Sequence, residues 1–283
     1  MTEAATTPTA GGLLRHPTPV GPAGRLVGVS RAEAGWRYVG YSVHRVASGE
    51  VLQRTGDADE VAVIVLEGTA DVIVAGERWT ALGSRRSVFD GPPPPVVLAE
   101  PGRDVAVKAL GEATIAIASA PGGDVRSTRA FDPGRMTVEE RGTGNTTRRV
   151  HHLLPPSVAA GRLILVEVYT PGGNWSSYPP HKHDTEDPPR EAYLEEIYHY
   201  RFARPEGFAL QRIYTADRSV DVSLAPGHDD LVLVPSGYHP VGMPAGYDGW
   251  YLNVMAGPTR AWNFTIDPDH AWLMDWDPAT LRG

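Results

Sequence analysis

The sequence predicts an all-β protein built from two tandem strand-rich domains. Three observations carry this. Gly (31) and Pro (26) make up about a fifth of the 283 residues, which favours short elements joined by turns. Strand-like runs separated by turn signals recur along the chain, and amphipathic patterns of helical period are scarce.

The elements follow in order. Residues 1–25 are rich in Ala, Thr, Pro and Gly and are expected to form a flexible N-terminal segment. Strand-like character begins near Tyr38. Val61–Leu66, ending at Glu67-Gly68, and Ala70–Val74, ending at Ala75-Gly76-Glu77, predict hairpins. Ser87–Phe89, Val96–Ala99, Val105–Ala109 and Thr114–Ser119 extend the first series. A second series comprises Leu163–Tyr169, Glu196–Phe202, Phe208–Tyr214, Val220–Leu224, Asp230–Val234 and Trp250–Met255. The polar, Gly-rich stretch Pro121–Asn145 separates the two, so the domains are set at 26–135 and 136–283. The tail Asp267–Trp276 carries two tryptophans and is expected to pack on a barrel or on a subunit partner.

Composition excludes several functions. The net charge of −8 provides no global basic footprint for nucleic acid or an anionic membrane. The chain has no Cys, hence no disulfide, thiolate metal site or Cys nucleophile. The N-terminus does not have the pattern of a signal peptide, and no run of about 18 apolar residues is present. A cytoplasmic location is expected. A homodimer is compatible with exposed barrel edges and the Trp-rich tail.

The chemically informative segment runs from Gly173 to Tyr200 and contains His181-Lys-His183. On a strand, residues two apart share a face, so both imidazoles can reach one metal. A carboxylate on the next strand adds a hard oxygen ligand. Val234-Pro-Ser-Gly-Tyr-His239 supplies a third imidazole. Three His and one carboxylate leave positions free on a six-coordinate ion, as catalysis requires.

The spacing G-x₇-H-x-H, a following Glu and P-x-G-x-H resembles the paired motifs of the cupin superfamily, with a Pro-rich insert between His183 and the glutamate. Ser176–Thr185, Tyr193–Tyr198, Arg141–Arg148 and Val234–Pro240 resemble the 5-deoxy-glucuronate isomerase family of myo-inositol catabolism. That family is related to the 4-deoxy-L-threo-5-hexosulose-uronate ketol-isomerases. The resemblance implies a bicupin with one divalent metal (Zn, Mn, Fe or Ni) in its C-terminal half, held by His181, His183, His239 and a glutamate. Glu196 precedes Ile-Tyr-His-Tyr-Arg-Phe, where the cupin glutamate usually starts its strand; Glu191 and Glu195 compete with it. The N-terminal half lacks His-x-His between Arg54 and Asp59, and no His follows Pro92–Pro95, so a barrel without metal is expected there.

The implied reaction is conversion of 5-deoxy-D-glucuronate to 5-dehydro-2-deoxy-D-gluconate, an aldose–ketose isomerisation of a small sugar acid that needs neither NAD nor flavin. Glu191, Tyr200 and Tyr238 are candidates for proton transfer. Arg212, Lys182 and Arg148 are candidates to bind the substrate carboxylate. An Fe(II) dioxygenase and a non-catalytic sugar-acid-binding bicupin are the alternatives. Other His residues have blander explanations. His151 and His152 are adjacent, so on a strand they would face opposite ways; polar loop residues are expected. Tyr198 and Tyr200 share the face of Glu196 and belong to the barrel core or the cavity wall.

Overall fold

The computed structural model describes residues 10–123 and 127–276. Residues 1–9 of the N-terminal segment and the end of the C-terminal half beyond 276 lie outside the described residues. Strands dominate, and the helical pieces are single short turns such as Arg31–Ala34 and Pro268–Met274. No helix among the described residues is long and apolar enough to cross a membrane.

The two halves repeat one topology. The larger sheet of the first half runs, in spatial order, Arg129–Phe131, Val96–Ala99, Asp59–Glu67, Ala113–Pro121, Gly40–Val46, Arg25–Val29. The larger sheet of the second half runs Leu14–Arg15, Leu231–Val234, Glu195–Phe202, Gly249–Ala256, Ile164–Thr170, Arg148–Leu154, Thr137–Arg141. Each half closes its barrel with a four-stranded sheet, centred on Ala70–Val74 and Val105–Ala109 in the first and on Leu210–Tyr214 in the second. This is a bicupin. The N-terminal arm departs from the expectation of a flexible segment. Leu14 and Arg15 pair with Val232 and Leu231 of the C-terminal sheet, and Leu13 is buried.

Alternation along the central strands explains how the halves join. Ala62, Ile64 and Leu66 point one way and pack with Ile197, Trp250, Leu252 and Val254 of the second half. Val61, Val63 and Val65 point the other way, into a barrel interior filled by Val72, Val97, Val107 and Ile115. Tyr198, Tyr200 and Phe202 likewise face the interior of the second barrel. Strands buried on both faces must be apolar at both parities, which is why they appear as unbroken hydrophobic runs. The interior of the first barrel is lined by aliphatic side chains, Val63, Val65, Val72 and Val107 among them.

Polar clamps reinforce the junction reciprocally. Glu60 of the first half accepts the N–H groups of Gly161, Arg162 and Leu163, at 2.7, 2.5 and 2.7 Å. Glu195 of the second accepts those of Arg37, Tyr38 and Val39, at 2.8, 2.8 and 3.0 Å. Arg201 pairs with Glu67 across the junction, and Arg85 pairs with Glu167 in the opposite sense, both at 2.8 Å. Each buried carboxylate thus finds the partners that desolvation demands.

Candidate metal centre

Four elements bring the predicted ligands together. His181 lies on the short strand His181–Lys182, paired with Thr265–Ile266, and His183 follows at once. Glu196 stands near the start of its strand, opposite Val234 on one side and Met255 on the other. His239 follows the turn after Leu231–Val234. That turn needs glycine: Gly237 has φ +90°, and a Cβ there would lie 2.6 Å from the Tyr214 carbonyl oxygen.

The three imidazoles converge. Ring centroids are 6.2 Å apart for His181 and His183, 4.8 Å for His181 and His239, and 4.9 Å for His183 and His239. One ligand nitrogen from each lies within 4.8 Å of the others. Every ring has its Nδ1 directed at a main-chain oxygen: Pro179 at 3.4 Å, Leu194 at 3.0 Å and Gly237 at 2.8 Å. Donation from Nδ1–H fixes the tautomer that leaves Nε2 with a free lone pair. Glu196 Oε2 sits 3.0 Å from His183 Nε2 and 3.2 Å from His239 Nε2. The latter nitrogen is buried and has no hydrogen bond of good geometry. An orphaned buried nitrogen beside a carboxylate and two further imidazoles fits a divalent cation.

Electrostatics favour the donor forms of His181 and Glu196, whereas the Glu196 carboxylate raises His183. Burial, followed by the charges of His239 and His183, pushes His181 well below the ordinary histidine range, so it is neutral. Burial alone would raise Glu196, but its contacts with His183 and His239 outweigh this and hold it down at about 2. The group is therefore a carboxylate.

The adjacent glutamates are occupied elsewhere. Glu195 faces the first half. Glu191 accepts the N–H groups of Asp184 and Thr185, both at 2.8 Å, and the Lys182 ammonium at 2.9 Å. Glu196 alone of the three lies against the imidazoles.

A cavity of about 460 Å³ opens onto His181 and Glu196, its wall including Arg148, Tyr198, Asn253, Trp262 and Phe264. Several candidates lie outside this lining. Arg212 is exposed at the surface, bidentate to Asp221 at 2.8 and 2.6 Å and stacked on Tyr214. Lys182 is held by Asp184 and Glu191. Tyr200 donates to Gln211 at 2.8 Å in the barrel interior, and Tyr238 packs against Tyr214. Arg148 is the one of the three cations that lines the cavity. Its tip donates to the main-chain oxygens of Thr146 and Tyr178, at 3.0 and 3.2 Å.

Other expectations are settled by position. His151 and His152 lie on the Arg148–Leu154 strand rather than in a loop. They face opposite ways, to Glu167 at 2.8 Å and Glu139 at 2.9 Å. The tail borders the cavity through Leu273, Met274 and Trp276, while Trp272 and much of Met274 stay exposed. Asn253, Arg141 and Trp262 were not singled out from sequence. Asn253 had a signal: it is a polar residue at the inward parity of an otherwise apolar strand, between Tyr251 and Met255.

Comparison with known proteins agrees with this architecture. A protein of Geobacillus kaustophilus named 5-deoxy-glucuronate isomerase is 46% identical over 253 residues, covering 89% of this chain and 91% of its own. One of the same name from Listeria monocytogenes is 40% identical over 272 residues, covering 94% and 100%. The crystal structure of an IolB-like protein from Salmonella typhimurium LT2 superposes with a TM-score of 0.89 at 42% identity, covering 93% of this chain and 99% of that one. Oxalate decarboxylase from Lactobacillus farciminis shares the fold at 11% identity, with a TM-score of 0.64 over 95% of this chain and 92% of that one. The KduI/IolB family model matches residues 14–273, nearly the full span from the N-terminal arm to the tail, so this chain belongs to the KduI/IolB family.

Proposed function

We propose that this protein is a metal-dependent aldose–ketose isomerase that converts 5-deoxy-D-glucuronate to 5-dehydro-2-deoxy-D-gluconate in the cytoplasm. The observation that carries this is a single cavity with metal-type donors at one place on its wall and, at another, a guanidinium that has no ion pair among the described residues. His181, His183, Glu196 and His239 hold one divalent ion. Bound there, such an ion would supply Lewis acidity to stabilise the negative charge of an enediolate.

The chain's own residues do the rest. Arg148 takes the substrate carboxylate. Burial pulls its pKa down, and among the described residues no carboxylate forms an ion pair with it, so an incoming anion supplies the missing counter-charge. The Tyr198 hydroxyl, 2.8 Å from Ser177 Oγ, holds a substrate oxygen by hydrogen bonding. Glu196 is the only carboxylate among the described lining residues, and as a ligand it is not the base that moves the C2 proton. Phe264 and Trp262 shield the bound chain from water. The relatives' shared name favours this substrate over other sugar acids.

The test is conversion of the aldehyde acid by protein loaded in turn with Mn²⁺, Zn²⁺, Fe²⁺ and Ni²⁺, followed by NMR in D₂O without oxygen. Isomerisation with at least one metal, and none with the stripped protein, is expected. Failure with all four, or oxygen consumption coupled to turnover in a parallel aerobic run, would overturn it.

A further inference from the structure

The register of the C-terminal sheet orders the cavity wall. Tyr198 stands opposite Asn253, which stands opposite Val166; in the next inward row Tyr200, Tyr251, Val168 and Val150 align; one row on, Thr170 stands beside Arg148. Moving diagonally from Glu196, the inward side chains are therefore Asn253, then Val168, then Arg148. Diagonal neighbours of this kind lie about 7–8 Å apart. All four line the same cavity. Asn253 is buried, and its Nδ2 has no hydrogen-bond partner. A buried amide left unpaired costs stability, and a ligand oxygen is one way to satisfy it.

We infer that this sequence of polar, apolar and cationic side chains selects a sugar acid that lacks oxygen at C5. The inference rests on the proposed isomerase reading. With C1 and C2 at Glu196 and the carboxylate at Arg148, the amide of Asn253 meets the C3 and C4 hydroxyls. Val168, beside Val150, meets the deoxygenated C5. An oxygen at C5 would be buried against valine methyls with nothing to bond. Asn253 is thus a substrate-binding residue, and Val168 sets specificity.

The experiment compares wild type with Asn253→Leu and Val168→Thr, and with Asn253→Ala should the leucine variant misfold. Turnover of 5-deoxy-D-glucuronate and D-glucuronate is measured. Binding of gluconate, an open-chain acid whose hydroxyl next to the carboxylate takes the place of a C5 oxygen, is measured by calorimetry on metal-loaded protein. Asn253→Leu should keep its metal and melt no lower than wild type, yet lose kcat/KM roughly ten- to a hundredfold, chiefly through KM. An apolar pocket rejects an added hydroxyl by only about a hundredfold. Val168→Thr should therefore narrow the preference for the deoxy acid, and tighten gluconate, by roughly tenfold. Ring closure of glucuronate is common to all variants and cancels in the ratio. Changes below twofold in both variants would overturn the inference. A wild type that binds gluconate without isomerising either acid would sink the isomerase reading instead, with the binding ratios still deciding the roles of Asn253 and Val168.

Discussion

Glu195 and Glu196 are neighbours in sequence with opposite tasks, because successive strand residues point to opposite faces. Glu195 anchors three main-chain N–H groups of the first half, whereas Glu196 stands among the imidazoles. Glu195→Gln should lower stability by about 1.5–3 kcal/mol, the worth of hydrogen bonds to a charged group, with metal content unchanged. Glu196→Gln should do the reverse: metal analysis shows loss of the ion, while the thermal midpoint of the stripped protein moves little. Loss of metal from the first variant and not the second would reverse the assignment. Arg148→Met should weaken substrate binding by about 1.5–3 kcal/mol, seen as a raised KM with metal retained.

Among the elements, the turn carrying His239 depends on the loop carrying His183. Asp184 accepts the Gly237 N–H at 2.9 Å and the Lys182 ammonium at 2.5 Å, and the Gly237 carbonyl in turn takes the His239 Nδ1–H. The Lys182 and Glu191 of the sequence reading thus belong to the scaffold that aims the rings. Asp184→Ala should reduce metal affinity by about 10–100-fold, the usual effect of removing an outer partner. Competition with a chromogenic chelator measures it, and an unchanged dissociation constant would refute the role. The central strands were visible as apolar runs, because burial on both faces leaves no polar parity. That same feature hid which face was the barrel interior, since Tyr198 and His199 are both fully buried, one inside the second barrel and the other against Tyr41 of the first half.

At the scale of the molecule, the two halves form one packed body joined by exchanged charges. Arg201 pairs with Glu67 at 2.8 Å and Asp229 at 2.6 Å, and His199 also bonds Asp229, at 3.2 Å. Burial would raise both carboxyls, but Arg201, together with His199 for Asp229 and Thr114 for Glu67, holds them below the usual range. Their folded-state values are therefore lower than their unfolded ones. The stability they contribute is complete above about pH 5 and is lost as pH falls further. Arg201→Met strands two buried carboxylates and should cost about 3–5 kcal/mol near neutral pH. The deficit should shrink on acidification as the carboxyls take up protons. Thermal melts of both proteins between pH 7 and 3 test this, and a deficit that grows toward low pH would contradict it.

Much of the protein is set locally and so was legible in the sequence. Strand alternation, turn glycines and the spacing of His181, His183 and His239 depend on backbone geometry within a few residues. They announced two barrels and the three imidazoles that meet in the second. Other features depend on contacts far apart in the chain and needed the fold. Tertiary packing chose Glu196 among three glutamates, because strand parity and the demands of the opposite half turned Glu195 away. It also placed Arg148, alone of the three cations, on the cavity wall with its tip on main-chain oxygens, while Arg212 found Asp221 at the surface. The N-terminal arm joined the distant sheet because a short strand gains its hydrogen bonds wherever an edge lies open, and no local signal names that edge.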